Sequence, residues 1–254
     1  MGRQKSGVRR MSYLKESDMV KRFFNGVYLV TDRHQTDKRP LAAVIEEALK
    51  AGVKAVQLRE KDLSAKELFD LARSLRGLTS QYRARLFIND RLDIAIAVKA
   101  DGVHLGQKGF SASDVKQFLK PVPAGFKRGS APRIRHHTSL SPQALSGERF
   151  LIGVSTHSLS EARKAEEEGA DFITIGPVFY TASKAGYGRP LGVEIIKSVK
   201  EAVKIPVFAI GGIKLDTISE VVAAGADGIA VISAIIGAKG PGIAAKDLLQ
   251  AINN

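Results

Sequence analysis

From residue 26 onward, short apolar runs alternate with longer amphipathic stretches, and the pattern repeats eight times. The apolar runs fall at 26–32, 54–59, 86–89, 101–105, 150–154, 171–175, 206–210 and 227–231. The amphipathic stretches fall near 39–51, 64–79, 91–98, 111–119, 158–168, 192–203, 214–224 and 241–252. A continuous apolar run reads as a strand buried on both faces, as in a parallel sheet covered by helices. Eight such units in about 230 residues predict an α/β chain folded as a (β/α)8 TIM barrel. A doubly wound open sheet is the alternative. It is weakened because no glycine-rich dinucleotide fingerprint follows the first run.

Local signals agree with this spacing. Ser64 stands three residues before Glu67, the arrangement of a capping box, and Ser111 and Ser158 open two further helices. Glu168-Gly-Ala-Asp171 is echoed by Ala224-Gly-Ala-Asp227 and more loosely by Lys50-Ala-Gly-Val-Lys54. Each echo reads as a helix-ending glycine running into the next strand.

The net charge of +13 is uneven. Residues 1–24 carry seven Lys/Arg against two acids, and residues 120–149 carry six against one. We read 1–24 as a basic N-terminal extension and 25–254 as a single barrel domain. Residues 120–149, with four prolines and three glycines, read as a basic loop inserted between units four and five. Neither segment interleaves aromatics with its charges, which argues against a nucleic-acid surface. The adjacent His136 and His137 lack the spacing by which one helix face holds a metal. The absence of cysteine excludes disulfides and thiolate chemistry and fits a reducing cytoplasm. Arg9-Arg10 is followed by charged residues rather than an apolar region, so it is not an export signal. No run approaches the roughly 20 apolar residues that would span a bilayer.

Barrel active sites lie at the C-terminal ends of the strands. There the sequence gathers Gln57, Arg59 and Lys61, then Asn89, Asp90 and Arg91, then His104 and Gln107. Ser155, Thr156 and His157 follow the fifth run, and Thr181, Ser183 and Lys184 the sixth. Gly211-Gly212 and Ile232-Ser233 follow the seventh and eighth, where barrels commonly bind phosphate. Arg59, Lys61 and Lys184 suggest a second anion site, and with the Asp90 carboxylate a diphosphate carrying a divalent metal. Asp90 also stands where a helix N-cap would.

These residues sit in motifs that resemble one family. Tyr28-Leu-Val-Thr-Asp32, Gln57-Leu-Arg-Glu-Lys61, Ile88-Asn-Asp-Arg91, Ala100-Asp-Gly-Val-His-Leu-Gly-Gln107, Gly153-Val-Ser-Thr-His-Ser158, Gly176-Pro-Val-Phe179 with Thr181-Ala-Ser-Lys184, and Ile210-Gly-Gly-Ile213 are similar to those of the thiamine phosphate synthase family. That family includes TenI-like proteins, some of them thiazole tautomerases. The resemblance runs from about 26 to 252, apart from the 120–149 segment.

It implies a transferase of thiamine biosynthesis that joins an aminopyrimidine methyl diphosphate to a thiazole phosphate, with Mg2+, and releases diphosphate. Carried over by motif, Gln57 and Asn89 would hold the pyrimidine. Arg59, Lys61, Ser155 and Lys184 would hold the diphosphate, and Asp90 the Mg2+. Thr181, Ser183, Gly212, Ile232 and Ser233 would hold the thiazole phosphate. The implied partners are phosphorylated small molecules; a homo-oligomer is compatible.

One position departs from the pattern. Where the synthase motif after the fourth strand ends in a second acidic Mg2+ ligand, this chain has Gly109, preceded by Lys108. Gly109-Phe-Ser111 and the loop with Gly186 and Gly188 look more like the TenI branch. The Gln57-to-Lys61 and Asn89-Asp90 motifs look like the synthase branch. Two alternatives therefore stand beside the synthase. One is a metal-independent tautomerase with His157 as proton shuttle. The other is a non-catalytic regulatory protein that binds a phosphorylated ligand.

Overall fold

The computed structural model describes residues 24–120, 149–181 and 189–253. The predicted insertion falls largely outside these residues, as do most of the N-terminal extension, the histidine pair, Ser183 and Lys184.

Eight parallel strands close into a barrel: β1 (Val27–Val30), β2 (Ala55–Leu58), β3 (Arg85–Asn89), β4 (Gly102–Leu105), β5 (Leu151–Thr156), β6 (Phe172–Ile175), β7 (Val207–Ile210) and β8 (Gly228–Val231), with β8 pairing back onto β1. Outside lie α1 (Leu41–Lys50), α2 (Ala65–Gln81), α3 (Leu92–Ala97), α4 (Ala112–Leu119), α5 (Leu159–Glu167), α6 (Glu194–Ala202), α7 (Ile218–Ala223) and α9 (Pro241–Asn253). The short α8 (Ser233–Ile236) follows β8 and was not expected from the sequence. The predicted capping box of α2 forms, with Ser64 accepting from the Glu67 N–H and Glu67 accepting from the Ser64 N–H. Ser111 with Asp114 builds a second box on α4, and Ser158 caps α5.

The alternation of side chains along each strand sorts two apolar cores. Residues such as Leu29, Val56, Ile88, Ile152 and Ile173 face the helices, while Tyr28, Phe87, Phe172 and Phe208 face the lumen. Glycines opposite the rings make room for them. A Cβ on Gly102 would stand 2.7 Å from the Phe87 ring, one on Gly153 2.4 Å from Phe172, and one on Gly228 2.5 Å from Phe208.

Phe24 corrects the boundary drawn from the sequence. It was counted with the basic extension, yet it is fully buried, with its ring centroid 4.6 Å from Phe208, 4.8 Å from Phe172 and 5.0 Å from Tyr28. It belongs to the lumen core, where burying such a ring is worth about 1.5–3 kcal/mol.

The Gly-Ala-Asp echo has a structural cause. Asp171 at the start of β6 accepts from the Ile152 N–H of β5 at 2.7 Å, and Asp227 at the start of β8 accepts from the Val207 N–H of β7 at 2.8 Å. Asp101, before β4, does the same for the Leu86 N–H of β3 at 2.7 Å. Each carboxylate also meets a cation: Arg149, Lys200, or Arg76 with Arg85. The looser copy before β2 carries Lys54, which donates instead to the Tyr82 carbonyl.

Candidate active site

The parity that points Phe87 into the lumen carries Asn89, two residues on, to the C-terminal rim. By the same rule Ala55 leads to Gln57, Gly102 to His104, Gly153 to Ser155, and Phe172 to Thr174. These side chains form a polar floor above the aromatic core. Gln57 Nε2 donates to the Tyr28 hydroxyl at 3.1 Å. That hydroxyl lies 3.4 Å from His104 Nδ1, and His104 Nε2 lies 2.9 Å from Ser155 Oγ. Thr174 Oγ1 stands farther from Nε2, at 3.5 Å. His104 is buried, and desolvation, with a smaller contribution from the Arg59 charge, lowers its pKa to about 3. The imidazole is therefore neutral near pH 7. Asn89 Nδ2 donates to the His104 carbonyl at 3.1 Å, which fixes its amide at the same rim.

The loop after β2 is organised by its acids. Glu60 is buried and accepts from the Arg33 N–H at 3.1 and 3.2 Å and from the Arg33 guanidinium at 3.2 Å. Asp62 takes the other side of that guanidinium in two bonds of 2.5 Å and meets His34 Nε2 at 3.0 Å. Its hydrogen bonds from Arg33 hold the Asp62 carboxyl far below the usual range. The Arg59 N–H donates to the buried Thr31 hydroxyl at 2.9 Å. Glu60 and Asp62 are thus committed to Arg33. Arg59 and Lys61 have no acidic partner among the described residues.

Asp90 is not the helix cap. Arg91 holds that position, without a side-chain cap bond. Asp90 adopts a left-handed backbone, φ 58°, and its Oδ1 accepts from the Gly106 N–H at 2.7 Å. This turns the carboxylate toward the loop after β4. A Cβ on Gly109 would stand 3.3 Å from the same oxygen, so the position where the motif expects a second acid does adjoin Asp90. Among the described residues no group of three His, Cys, Asp or Glu side chains is placed to hold a metal by itself. The donors present fit a Mg2+ shared with substrate phosphate, which needs only one or two protein carboxylates.

Gln107 donates to the Ser155 carbonyl and ties the loops after β4 and β5 together. His157 is exposed; its Nδ1 pairs with the Gly176 carbonyl and must be the donor, which leaves Nε2 as the basic nitrogen. On the far side of the mouth, Gly211 and Gly212 have φ 99° and 66°. A Cβ on Gly212 would stand 2.4 Å from the Tyr180 carbonyl, so only glycine fits there. Ser233 opens α8, with Ile232 at the preceding cap position. First-turn N–H groups of a helix have no intrahelical acceptor and are available to an anion. Thr181 is the last described residue of its loop.

The sequence places His104 among the polar residues at the strand ends without assigning it a role, and it does not single out Tyr28, Thr31, Arg33, Glu60 or Thr174 as site residues. A polar residue within an otherwise apolar strand was the available signal for His104 and Thr174. No helix among the described residues is long and apolar enough to cross a membrane.

Comparison with known proteins identifies the family. The family described as "Thiamine monophosphate synthase" matches residues 27–123 and 139–235. A relative from Geobacter sulfurreducens is 47% identical over 88% of this chain and 92% of its own length. The "Thiamine-phosphate synthase" of Moorella thermoacetica is 40% identical over 89% of this chain and 95% of its own. A solved structure, "Thiamine phosphate pyrophosphorylase from Pyrococcus furiosus", superposes with a TM-score of 0.72 at 34% identity, covering 91% of this chain and 97% of that one. With both halves of the barrel matched and near-full-length relatives at this identity, the chain belongs to the thiamine monophosphate synthase family.

Proposed function

We propose that this protein is a thiamine-phosphate synthase. It condenses 4-amino-2-methyl-5-hydroxymethylpyrimidine diphosphate with thiazole phosphate, giving thiamine phosphate and diphosphate. The observation that carries this reading is the pair of cations Arg59 and Lys61, without acidic partners among the described residues, beside the Gln57–Asn89–Ser155 floor. The Gly211-Gly212 and Ile232-Ser233 subsite lies at the same end of the barrel. Two anion sites flanking a polar floor suit two phosphorylated substrates.

In this reading Gln57 and Asn89 orient the pyrimidine. Arg59, Lys61, Ser155 and Lys184 hold the diphosphate. Thr181, Ser183, Gly212, Ile232 and Ser233 hold the thiazole phosphate. The bond from the pyrimidine methylene to the diphosphate oxygen breaks, and the leaving group takes the electron pair. The methylene cation, delocalised into the aminopyrimidine, is then captured by the thiazole nitrogen. Arg59 and Lys61 lower the barrier by stabilising charge as it builds on the leaving oxygens. Asp90 would hold Mg2+, which when bound supplies further positive charge to the diphosphate. The enzyme would act in the cytoplasm.

The test is thiamine phosphate formation from both substrates, with and without Mg2+. Product formation, with a large loss of kcat in Lys184→Ala at unchanged stability, supports the reading. No product at any Mg2+ concentration overturns it. Gly109 and the basic Nε2 of His157 favour a thiazole tautomerase as the second reading. It predicts metal-independent isomerisation of the thiazole phosphate that is lost in His157→Asn.

A further inference from the structure

We propose that Tyr28 and His104 form a directional hydrogen-bond relay beneath the site, which fixes Gln57 as an acceptor and Ser155 as a donor toward the ligand. The direction follows from counting protons. The Gln57 amide nitrogen faces the Tyr28 oxygen at 3.1 Å; it has no lone pair, so it donates. Tyr28 is fully buried, its ring packed on Phe24, Phe87 and Phe172, and among the described residues the one further hydrogen-bond partner of its hydroxyl is His104 Nδ1 at 3.4 Å. Were Nδ1 protonated, two donors would face one oxygen and the buried tyrosine proton would be left without this acceptor, at a cost of about 1–3 kcal/mol.

Nδ1 therefore accepts, and a neutral imidazole then carries its proton on Nε2. Nε2–H donates to Ser155 Oγ at 2.9 Å. With that oxygen already accepting from below, the Ser155 hydroxyl proton is available to the ligand above. At the other end, the Gln57 amide nitrogen is committed downward, which leaves Oε1 to accept from the ligand.

The space for the relay is built in. A Cβ on Gly153 would stand 2.6 Å from His104 Nδ1, so the imidazole lies where a side chain on the neighbouring strand would clash. Under the proposed synthase reading, the acceptor suits a ring amino group and the donor suits a leaving phosphate oxygen. Tyr28 and His104 are then positioning residues that touch neither substrate. The functional half of the proposal rests on that reading; the relay does not.

The experiment is 15N-detected imidazole NMR on the full chain labelled at histidine, with the His104 signals identified by their loss in His104→Gln. The wild type is expected to show His104 protonated on Nε2 with Nδ1 bare. Tyr28→Phe, which removes the proton that selects this tautomer, is expected to give a tautomer mixture. A wild-type His104 protonated on Nδ1, or a tautomer unchanged in Tyr28→Phe, overturns the relay whether or not the protein has synthase activity. In steady-state kinetics, Tyr28→Phe is expected to raise KM for the pyrimidine diphosphate and lower kcat, each about tenfold. His104→Gln, whose amide can donate in place of Nε2–H, is expected to retain more kcat than His104→Leu at matched thermal stability. Equal loss in both, tracking stability alone, overturns the positioning role. Absence of product in the wild type fails the synthase reading and leaves the NMR result to decide the relay.

Discussion

The Cβ that Gly109 lacks would stand 3.3 Å from Asp90 Oδ1. An acidic side chain there would bring a second carboxylate against the first. Two such groups repel by about 1 kcal/mol at 4 Å in water, and more where solvent is partly excluded. A divalent ion reverses the sign. Gly109→Asp should therefore lower the Mg2+ concentration for half-maximal rate. It should also lower Tm in chelator and recover it on adding Mg2+. The wild type, with one carboxylate and the neighbouring Lys108, should show a smaller Mg2+-dependent change in Tm. Differential scanning calorimetry with and without Mg2+ checks both, and a Mg2+ requirement unchanged in the variant would count against Asp90 as the metal ligand.

Arg33 engages both Glu60 and Asp62, the acids that flank Lys61 in the sequence. Arg33→Met should release two carboxylates next to the proposed diphosphate cations. Glu60, buried, would also lose its side-chain donor, a cost of about 1–3 kcal/mol. The expected result is a several-fold rise in KM for the diphosphate substrate, with little change for the thiazole phosphate. An equal rise for both substrates would mean that the clamp matters only for general stability.

At the opposite end of the barrel, Asp227 joins β8 to β7 by accepting from Val207 N–H and Lys200. Asp227→Ala leaves a part-buried lysine and a strand N–H without this acceptor. Breaking a buried pair from one side costs about 3–5 kcal/mol. Urea unfolding should show a loss of that order, while KM for both substrates should stay unchanged, because the pair lies far from the C-terminal rim.

The barrel was legible because its strands are continuous apolar runs punctuated by glycines and serine caps. The same continuity hid which residues face inward. Tyr28 and Leu29 look alike in such a run, as do Phe87 and Ile88, although one of each pair fills the lumen and the other packs under helices. Only polar interruptions such as Gln57, His104 and Thr174 mark the inward parity. The rim residues Gln57, Asn89, Asp90 and Ser155 could be named from motifs. The Arg33 clamp could not, since it joins residues 27 and 29 positions apart and leaves no local trace.

His104 gives the fold a distinct pH dependence. Its folded pKa of about 3 lies below its ordinary 6.5, so the unfolded chain takes up a proton that the native barrel refuses. Stability is complete above pH 6.5 and falls as the pH drops toward 3, by up to about 1.4 kcal/mol per unit from this group. The hydrogen-bonded carboxylates of Glu46, Glu67, Asp70, Asp93 and Asp114 are also held low, and their contribution is lost only below about pH 4.5. Between pH 6.5 and 5, His104→Gln should show a flatter stability curve than the wild type. Parallel curves in denaturant titrations would show that His104 is not held neutral.

Phe24 sets how far the chain can be shortened from its N-terminus. Its ring touches four lumen aromatics: Tyr28, Phe87, Phe172 and Phe208. Seven basic residues precede it in the sequence. A chain beginning at Met19 retains Phe24 and should fold with near-wild-type stability and activity. A chain beginning at Gly26 loses the plug and exposes the lower faces of the rings. Phe24→Ala isolates the same effect within the full chain. It should cost about 3–5 kcal/mol, which for a chain of this size lowers Tm by roughly 10 °C. Thermal unfolding of the three proteins checks this. If Phe24→Ala matches the wild type while the Met19 chain is destabilised, the basic extension and not the plug carries the stability.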